Sequence, residues 1–284
     1  GADDEFTLRE NRAAFQRLWL RPRVMVNVAN IDMTCSVLGH KSSLPIYITA
    51  TALGKLADPE GECALTRAAH AQGIIQMCPT LGSCSLDEMM AAKQPGQTQF
   101  FQLYVNSNRK LTEEIVKKAE KGGCKALCIT VDAPQLGRRE KDMRNKATAE
   151  ANLQKGDGSV NRSAGVARAL SSFIDPALCW DDLAWFKSIT RMPLVLKGVQ
   201  CAEDAVMAAH YGCAAVILSN HGGRQLDCAR SGIEILPEVM AALRAHGLEN
   251  KIEVWVDGGV RRGTDILKAV ALGAKCVGVG RPFL

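Results

Sequence analysis

Short apolar runs alternate along the chain with segments whose apolar residues recur every three to four positions. The runs are rich in β-branched and aliphatic residues and predict strands at residues 44–48, 74–77, 99–103, 126–129, 194–196, 215–218, 253–256 and 276–279. The segments between them predict helices near residues 59–71, 86–92, 111–121, 180–189, 202–210, 233–245 and 262–272. Alternation of this kind is typical of a parallel sheet covered by helices.

Eight such strands predict an α/β fold of the TIM-barrel, or (β/α)8, type. The eighth strand ends just before Leu284, so the predicted barrel is truncated after strand eight and lacks its last helix. We expect such a barrel to be open, with uncovered apolar faces on its first and last strands and helices, and we expect the natural protein to continue past Leu284.

The expected domain organisation is one barrel domain over residues 1–284, incomplete at both ends. It has an N-terminal lead-in over about residues 1–43 and one long loop at residues 133–178 after the fourth strand. Loops of that length in compact domains are usually functional lids or disordered segments.

The composition makes several classes of function unattractive. The 284 residues are 47% hydrophobic and 23% charged, which suffices for a large core in one barrel or in two smaller domains. Thirty-five Lys and Arg against 30 Asp and Glu leave a net charge of +5, and no basic run is interleaved with aromatic residues, so no nucleic-acid partner is expected. No apolar run approaches the ~18 residues that span a bilayer, so no membrane association is expected.

The eleven cysteines are an odd number without a Cys-x-x-Cys pair, and many of them lie in apolar runs. We expect buried thiols in a reducing compartment, and we predict no metal site. The N-terminal residues are acidic, where a signal peptide would be basic and then apolar, so the sequence alone assigns no location.

Polar residues follow the predicted strands at the barrel edge where TIM-barrel active sites form. His221 and Arg224 follow the sixth strand. An imidazole can take a proton near neutral pH, and a guanidinium can clamp a carboxylate with two hydrogen bonds. A lone histidine is more often an ordinary loop residue, but Asp132 and Lys197 at other strand ends favour a catalytic site.

The ends of the seventh and eighth strands predict an anion site. Glycines and arginines cluster there before a helix, and TIM barrels bind phosphate groups at this position. A Gly-Gly turn alone is more often only a turn, but a second Gly-Arg pair after the eighth strand favours a cofactor phosphate. The residues concerned are Gly258, Gly259, Arg261, Arg262, Gly280 and Arg281.

Together these motifs resemble the family of FMN-dependent α-hydroxy-acid dehydrogenases and oxidases over nearly the whole chain. The matching motifs are SNHGGRQLD at 219–227, DGGVRRGTD at 257–265, GRP at 280–282, KG at 197–198, TVDAP at 130–134 and QLYV at 102–105. Four further segments look most like the flavin domain of the flavocytochrome L-lactate dehydrogenases, which pass electrons to cytochrome c. They are ATAL at 50–53, YVNSNRK at 104–110, REKDM at 139–143 and FIDPAL at 173–178.

The resemblance implies FMN as cofactor and a small L-2-hydroxy acid as substrate. His221 would take a proton from the α-carbon, or from the hydroxyl if a hydride is transferred. Asp132 would stabilise the imidazolium and raise the pKa of His221. Tyr104 would hydrogen-bond the substrate hydroxyl.

The resemblance also implies residues that hold the substrate and the flavin. Arg224 would bind the substrate carboxylate with help from Arg139. Lys197 would lie beside the flavin ring and stabilise its reduced, anionic form. The implied FMN-binding residues are Ala50, Thr51, Ala52, Gln102, Thr130, Lys197, Ser219, Asp257, Gly258, Gly259, Arg261, Gly280 and Arg281, and Ala52 and Leu81 would lie beside the substrate side chain.

L-lactate is the first choice of substrate, because an aliphatic wall suits a methyl group. Glycolate or a longer 2-hydroxy acid is the alternative, since one methylene changes binding by only ~1–3 kcal/mol. The flavocytochrome subgroup implies electron transfer to a haem b domain upstream of Gly1 and to cytochrome c, a homo-oligomer of four chains, and the mitochondrial intermembrane space. An oxidase that uses oxygen, a flavin- or phosphate-binding barrel without this activity, and an inactive fragment remain alternatives.

The sequence departs from the family pattern in two ways. Pro79 stands where the family commonly has a serine, which removes a hydroxyl and a backbone N–H donor, and we expect weaker FMN retention or an altered potential. The family's carboxylate-binding tyrosine lies just upstream of the segment that begins at Gly1, so the sequence given would lack it.

Overall fold

The computed structural model describes residues 1–144 and 173–284, so residues 145–172 of the predicted long loop lie outside the described residues. The strands of the described chain are β1 (Cys35–Val37), β2 (His40–Ser42), β3 (Ile46–Ile48), β4 (Ile75–Cys78), β5 (Gln99–Leu103), β6 (Leu127–Thr130), β7 (Leu194–Val199), β8 (Ala215–Leu218), β9 (Glu253–Asp257) and β10 (Cys276–Val279). Strands β3 to β10 form one closed parallel barrel, and β1 pairs with β2 outside it.

Helices cover the outside of the barrel. Those of the described residues are α1 (Phe6–Gln16), α2 (Glu62–Ala71), α3 (Leu86–Ala92), α4 (Arg109–Lys121), α5 (Glu140–Arg144), α6 (Asp182–Ile189), α7 (Ala202–His210), α8 (Gly232–Ala245) and α9 (Gly263–Ala271). Short 3₁₀ helices follow β3, at Gly54–Leu56, and β10, at Arg281–Phe283. No helix among residues 1–144 and 173–284 is long and apolar enough to cross a membrane.

The predicted TIM barrel is confirmed, but the expectation that it would be open is wrong. Strand β10 pairs in parallel with β3, with Val277 opposite Ile46 and Val279 opposite Ile48. Closure depends on hydrogen bonds between the first and last strands, and these form between β3 and β10.

The apolar residues divide between two layers. Inside the barrel, buried side chains from successive strands pack on each other, and the rings of Phe100 and Trp255 stack with centroids 5.6 Å apart. Outside it, a larger buried cluster joins the strands to the surrounding helices. The hairpin β1–β2 contributes Val37 to the inner cluster, and Leu38 N donates to Glu253 Oε1 at 3.0 Å, so it packs at the barrel end opposite to the strand carboxyl ends.

Helix α1 lies in the predicted lead-in and was not predicted as a helix. The carboxylate of Asp227 accepts hydrogen bonds from Thr7 N at 2.8 Å and Phe6 N at 3.2 Å, so the loop after β8 satisfies the N–H groups that begin α1. The buried positions of α1 have helical spacing, but they include polar residues and so obscure the apolar pattern: Thr7, Asn11, Ala14 and Phe15.

Glu62, the first residue of α2, is fully buried, and its carboxylate connects two loops that follow barrel strands. Its Oε1 accepts from Gly54 N at 2.8 Å and Ser83 N at 3.0 Å, and its Oε2 accepts from Ser83 Oγ and Cys84 N, both at 2.8 Å. Burial alone would raise the pKa of Glu62, but these hydrogen bonds outweigh burial and lower it. The carboxylate therefore joins the loop after β3 to the loop after β4.

Replacing Glu62 with alanine is expected to lower the free energy of unfolding by ~3–5 kcal/mol at neutral pH, because several buried donors lose a charged acceptor. Since the folded pKa is lowered, this stabilisation is present above the ordinary glutamate pKa and is lost as the pH falls through the folded value. Urea denaturation over a pH series measures both effects. Replacement of the exposed Glu114 is the control, and an equal loss in the two variants would contradict the assignment.

Candidate active site

The carboxyl ends of the barrel strands surround a cavity of about 440 Å³. Asp132, Ser219 and Arg262 are the predicted site residues that do not line it. Asp132 and Ser219 contact His221 and Lys197, which do. The predicted residues in the lining are Ala50, Thr51, Ala52, Leu81, Gln102, Tyr104, Thr130, Arg139, Lys197, His221, Arg224, Asp257, Gly258, Gly259, Arg261, Gly280 and Arg281.

Three side chains from separate loops form a hydrogen-bonded series around His221. Its Nδ1 lies 2.8 Å from Asp132 Oδ1, and its Nε2 lies 2.8 Å from the Tyr104 hydroxyl. Asp132 follows β6 and His221 follows β8, so the carboxylate must pass the end of the intervening strand β7. Gly198 lies there with φ +112°, and a Cβ at this position would come within 2.5 Å of Asp132 Cβ. The KG motif at 197–198 therefore leaves the space through which Asp132 reaches His221.

The protonation states around His221 suit a general base. Asp132 raises the pKa of His221, as expected, but burial lowers it by more, so the net shift is downward. Burial would raise the pKa of Asp132, but the charges of His221 and Lys197 lower it. Burial raises the pKa of Tyr104 to about 12. At neutral pH the site therefore holds a neutral imidazole between a carboxylate and a protonated phenol.

Arginines form the positive side of the cavity. Arg224 Nη2 lies 2.9 Å from Asp142 Oδ2, and Arg139 Nε donates to the carbonyl of Arg224 at 3.3 Å. Arg281 Nη2 donates to Gly222 O at 2.6 Å. Burial and the neighbouring Arg224 lower the pKa of Arg139 to about 10, so it stays charged at neutral pH. The three guanidinium groups give the site a strong attraction for anions.

Lys197 places a buried positive charge at the end of β7. Its side chain is 6% exposed, and its Nζ lies 3.4 Å from Ser219 Oγ and 3.8 Å from Asp257 Oδ2. Burial alone would lower the pKa of Lys197, but Asp257 and Asp132 outweigh it and raise that pKa. The ammonium is therefore charged and fixed in a region where an electrostatic effect is large.

Gln102 and Thr130 lie side by side on β5 and β6. Gln102 Nε2 donates to Thr130 Oγ1 at 2.9 Å, and its Oε1 accepts from Thr80 N at 3.1 Å. Thr80 Oγ1 also donates to Gln102 O at 2.5 Å, which holds the loop after β4 against β5. Pro79, the departure from the family pattern, is buried just before Thr80 and lines the cavity.

Gly259, in the turn after β9, is required by packing against α1. A Cβ at Gly259, where φ is +81°, would lie 1.9 Å from the carbonyl oxygen of Asn11. Asp265 Oδ2 accepts from Arg261 N and Arg262 N, both at 2.9 Å, so these backbone donors already have a partner. For an anion at this end of the cavity, the arginine side chains are therefore better placed than these two N–H groups.

Sequence reasoning missed the contribution of α1 to the site. Leu8, Asn11 and Arg12 line the cavity. Asn11 and Asn220 are both buried and exchange two amide hydrogen bonds, at 2.8 and 2.7 Å, so α1 holds the loop that carries His221. A buried asparagine at helical spacing from Thr7 and Ala14 was the available signal, but it is indistinguishable in sequence from an exposed polar residue.

The cavity fits a flavin mononucleotide in the chemistry of its lining. Thr49 Oγ1 and Asp257 Oδ1 are buried and have no hydrogen-bond partner within the described part of the chain, and both residues line the cavity. Buried polar atoms without a protein partner are rare and point to a polar ligand. At the end of β7, the ammonium of Lys197 could interact with a flavin ring. At the ends of β9 and β10, the arginine side chains could bind a phosphate.

Comparison with known proteins places the chain among flavin enzymes. Residues 1–284 match the family FMN-dependent dehydrogenase. L-lactate dehydrogenase (cytochrome) of Wickerhamomyces anomalus is 55% identical over 283 residues, which cover 100% of this chain and 49% of that protein. Glycolate oxidase 3 of Arabidopsis thaliana is 44% identical over 292 residues, which cover 100% of this chain and 77% of the oxidase.

Solved structures give the same relationship. A flavocytochrome b2 variant with pyruvate bound superposes with a TM-score of 0.90 at 48% sequence identity, covering 100% of this chain and 69% of the other. Mandelate oxidase superposes with a TM-score of 0.88 at 38% identity, covering 99% of this chain and 78% of the other. The chain spans about half the length of the cytochrome-type lactate dehydrogenases that it matches. By sequence and by fold, the chain belongs to the FMN-dependent dehydrogenase family.

Proposed function

We propose that the protein uses FMN to oxidise a small L-2-hydroxy acid, with L-lactate as the first choice, to the 2-oxo acid. The observation that carries this proposal is the convergence of the His221–Asp132 pair and Arg224 on one cavity. A base and a carboxylate clamp in one cavity are what removal of a proton from a 2-hydroxy acid requires.

The proposed mechanism assigns one task to each polar group. Arg224 binds the substrate carboxylate, and Arg139 adds a second positive charge beside it. His221 Nε2 accepts the proton, from either the α-carbon or the hydroxyl, and Asp132 stabilises the resulting imidazolium. Tyr104, whose hydroxyl lies 2.8 Å from His221 Nε2, would turn its one proton from that nitrogen to the substrate hydroxyl when the substrate binds, which frees Nε2 to act as the base. When bound, FMN supplies the acceptor for the two electrons that the substrate loses.

The residues proposed to hold FMN belong to several strand ends. Lys197, fixed by Ser219 and Asp257, would lie beside the ring, and Gln102 and Thr130 would supply an amide and a hydroxyl for its polar edge. The remaining proposed contacts are Ala50, Thr51, Ala52, Gly258, Gly259, Arg261, Gly280 and Arg281. Leu81 and Ala52 form the proposed pocket for the substrate side chain.

The electron acceptor in the proposal is a haem domain followed by cytochrome c. The cytochrome-type dehydrogenases among the relatives support it, at 55% and 50% identity. Transfer to oxygen is the alternative, supported by glycolate oxidases and a 2-hydroxyacid oxidase at 44–45% identity. The remaining proposals follow the flavocytochrome resemblance: one FMN-binding barrel domain over residues 1–284, a homo-oligomer, and the mitochondrial intermembrane space.

A panel of substrates and acceptors tests the proposed function. FMN-loaded protein is mixed without oxygen with L-lactate, glycolate and L-2-hydroxybutyrate, and the loss of flavin absorbance is followed. We expect the largest ratio of rate constant to half-saturating concentration for L-lactate. The reduced protein is then mixed with cytochrome c or oxygen. A faster reaction with glycolate than with L-lactate, or with oxygen than with cytochrome c, would support the oxidase alternative instead.

The pH dependence of flavin reduction follows from the lowered pKa of His221. Its imidazole is neutral at neutral pH, so we expect a rate constant that is level there and falls with decreasing pH only below the ordinary histidine value of 6.5. In Asp132→Asn the carboxylate no longer raises the pKa of His221. The fall in the rate constant should therefore move to still lower pH, and the level value of the rate constant near neutral pH should decrease. A fall centred above 6.5 would contradict the assigned protonation state.

A further inference from the structure

Asp142 is a charged residue that the proposed mechanism leaves without a task. It lies on α5 in the REKDM segment, and its Oδ2 is 2.9 Å from Nη2 of Arg224. Arg224 lines the cavity, with a side chain that is 29% exposed, whereas Asp142 is 48% exposed. A carboxylate of the protein is therefore bound to the guanidinium that the proposed function assigns to the carboxylate of the substrate.

The carboxylates of Asp142 and of the proposed substrate have the same chemistry and bind the same guanidinium, that of Arg224. A guanidinium presents its N–H groups in a fixed planar fork, and a carboxylate that takes part of this fork competes with another for paired hydrogen bonds. A guanidinium has five N–H donors on two edges, and Asp142 occupies the Nη2 end of one of them. A substrate that uses this edge of Arg224 must displace Asp142, and a substrate at the other edge must share the guanidinium charge with it.

The surroundings favour displacement of Asp142. The Asp142 side chain is half-exposed, so it can turn into water, where a free carboxylate is well solvated. Arg139 and Arg281 lie near Arg224, and the repulsion from Arg224 contributes to the lowered pKa of both. Asp142 offsets part of this positive charge, so the contact weakens the attraction for an anionic substrate as well as occupying its donor.

Glu140 provides an internal comparison on the same helix. Its Oε2 pairs with Arg144 Nη2 at 2.8 Å and its Oε1 with Arg138 Nε at 3.4 Å, and both arginine side chains are largely exposed. Both carboxylates belong to one short helix close to the cavity, and Asp142 is the one bound to Arg224. An effect that comes only from removing a negative charge from α5 should therefore appear equally at Glu140.

We propose that Asp142 is an internal competitor for the substrate carboxylate on Arg224, and that it sets the affinity of the site for 2-hydroxy acids and for their 2-oxo acid products. The inference rests on the proposed function, because that function assigns Arg224 to the substrate. Asp142 is on this account a residue that acts through Arg224 and does not touch the reacting atoms.

Asp142→Asn in the FMN-loaded protein tests this proposal, with Glu140→Gln as the matched control. Pyruvate binding is measured from the change in the visible spectrum of the oxidised flavin, and reduction by L-lactate is followed without oxygen. We expect Asp142→Asn to lower both the Kd for pyruvate and the half-saturating L-lactate concentration by about fivefold, with a maximal reduction rate within about twofold of the parent. Glu140→Gln should change neither constant by more than about twofold.

Two other outcomes have distinct meanings. If Asp142→Asn leaves both constants unchanged or raises them, Asp142 orients Arg224 or is irrelevant to binding, and the competition is refuted. Equal tightening in Glu140→Gln would likewise refute it in favour of a general charge effect. If the parent protein binds pyruvate but is not reduced by L-lactate, the proposed function fails while the comparison of pyruvate affinities still decides the role of Asp142.

Discussion

Flavin reduction by L-lactate is expected to slow about a thousandfold in His221→Gln, while FMN remains bound. Glutamine can still form hydrogen bonds toward Asp132 and Tyr104, but its amide cannot take a proton at neutral pH. The proposed FMN contacts come from other residues, so cofactor binding should survive. Anaerobic rapid mixing gives the reduction rate, and the flavin-to-protein absorbance ratio gives the occupancy.

The control for this variant is His246→Gln. His246 is exposed, its Nδ1 lies 2.9 Å from the carbonyl of Ala242, and it does not line the cavity. The flavin of the His246→Gln variant should be reduced by L-lactate at the parental rate. Rapid reduction in His221→Gln with full FMN occupancy would remove His221 as the base, whereas loss of FMN would show that His221 supports the cofactor.

Arg224→Lys is expected to raise the half-saturating L-lactate concentration about a hundredfold. Lysine keeps the positive charge but loses the planar fork, and weakening a charged clamp in a partly buried site costs ~2–3 kcal/mol, which corresponds to this factor. The maximal reduction rate should fall as well, because a substrate held by one donor is less well oriented toward His221.

Arg138→Lys is the matched control for that change. Arg138 lies in the loop next to Arg139, but its side chain is 71% exposed and pairs with Glu140. Its replacement should leave the half-saturating concentration within about twofold of the parent. A change of similar size in both variants would mean that the general charge of the loop, and not the fork of Arg224, holds the substrate.

The barrel could be predicted from sequence because its strands are buried on both faces. The strands are short and mostly apolar, and the polar residues directly after them meet at one edge for topological reasons. This argument brought His221, Asp132 and Lys197 together without any knowledge of distances. The same argument could not show that Gly198 opens the way for Asp132, because that need arises from the close approach of two chain segments.

Helix α1 and the contacts of Asp142 could not be predicted from the pattern of apolar and polar residues. Asn11 is buried, but its amide is satisfied by Asn220, a residue 209 positions away, so its local sequence resembles that of a surface helix. The ion pair of Asp142 with Arg224 spans 82 positions in the same way. The net shift of the His221 pKa could not be predicted either, since the effect of a charged neighbour is visible in sequence and the degree of burial is not.

Rapid mixing of the FMN-loaded protein with L-lactate in the absence of oxygen tests the central claim most directly. The claim is that this cavity holds FMN and a 2-hydroxy acid together, with His221 placed to take the substrate's proton. We predict loss of the flavin absorbance with a rate that saturates as L-lactate increases, and formation of one pyruvate for each flavin reduced. An absorbance that persists in protein with bound FMN, at saturating L-lactate, would contradict it.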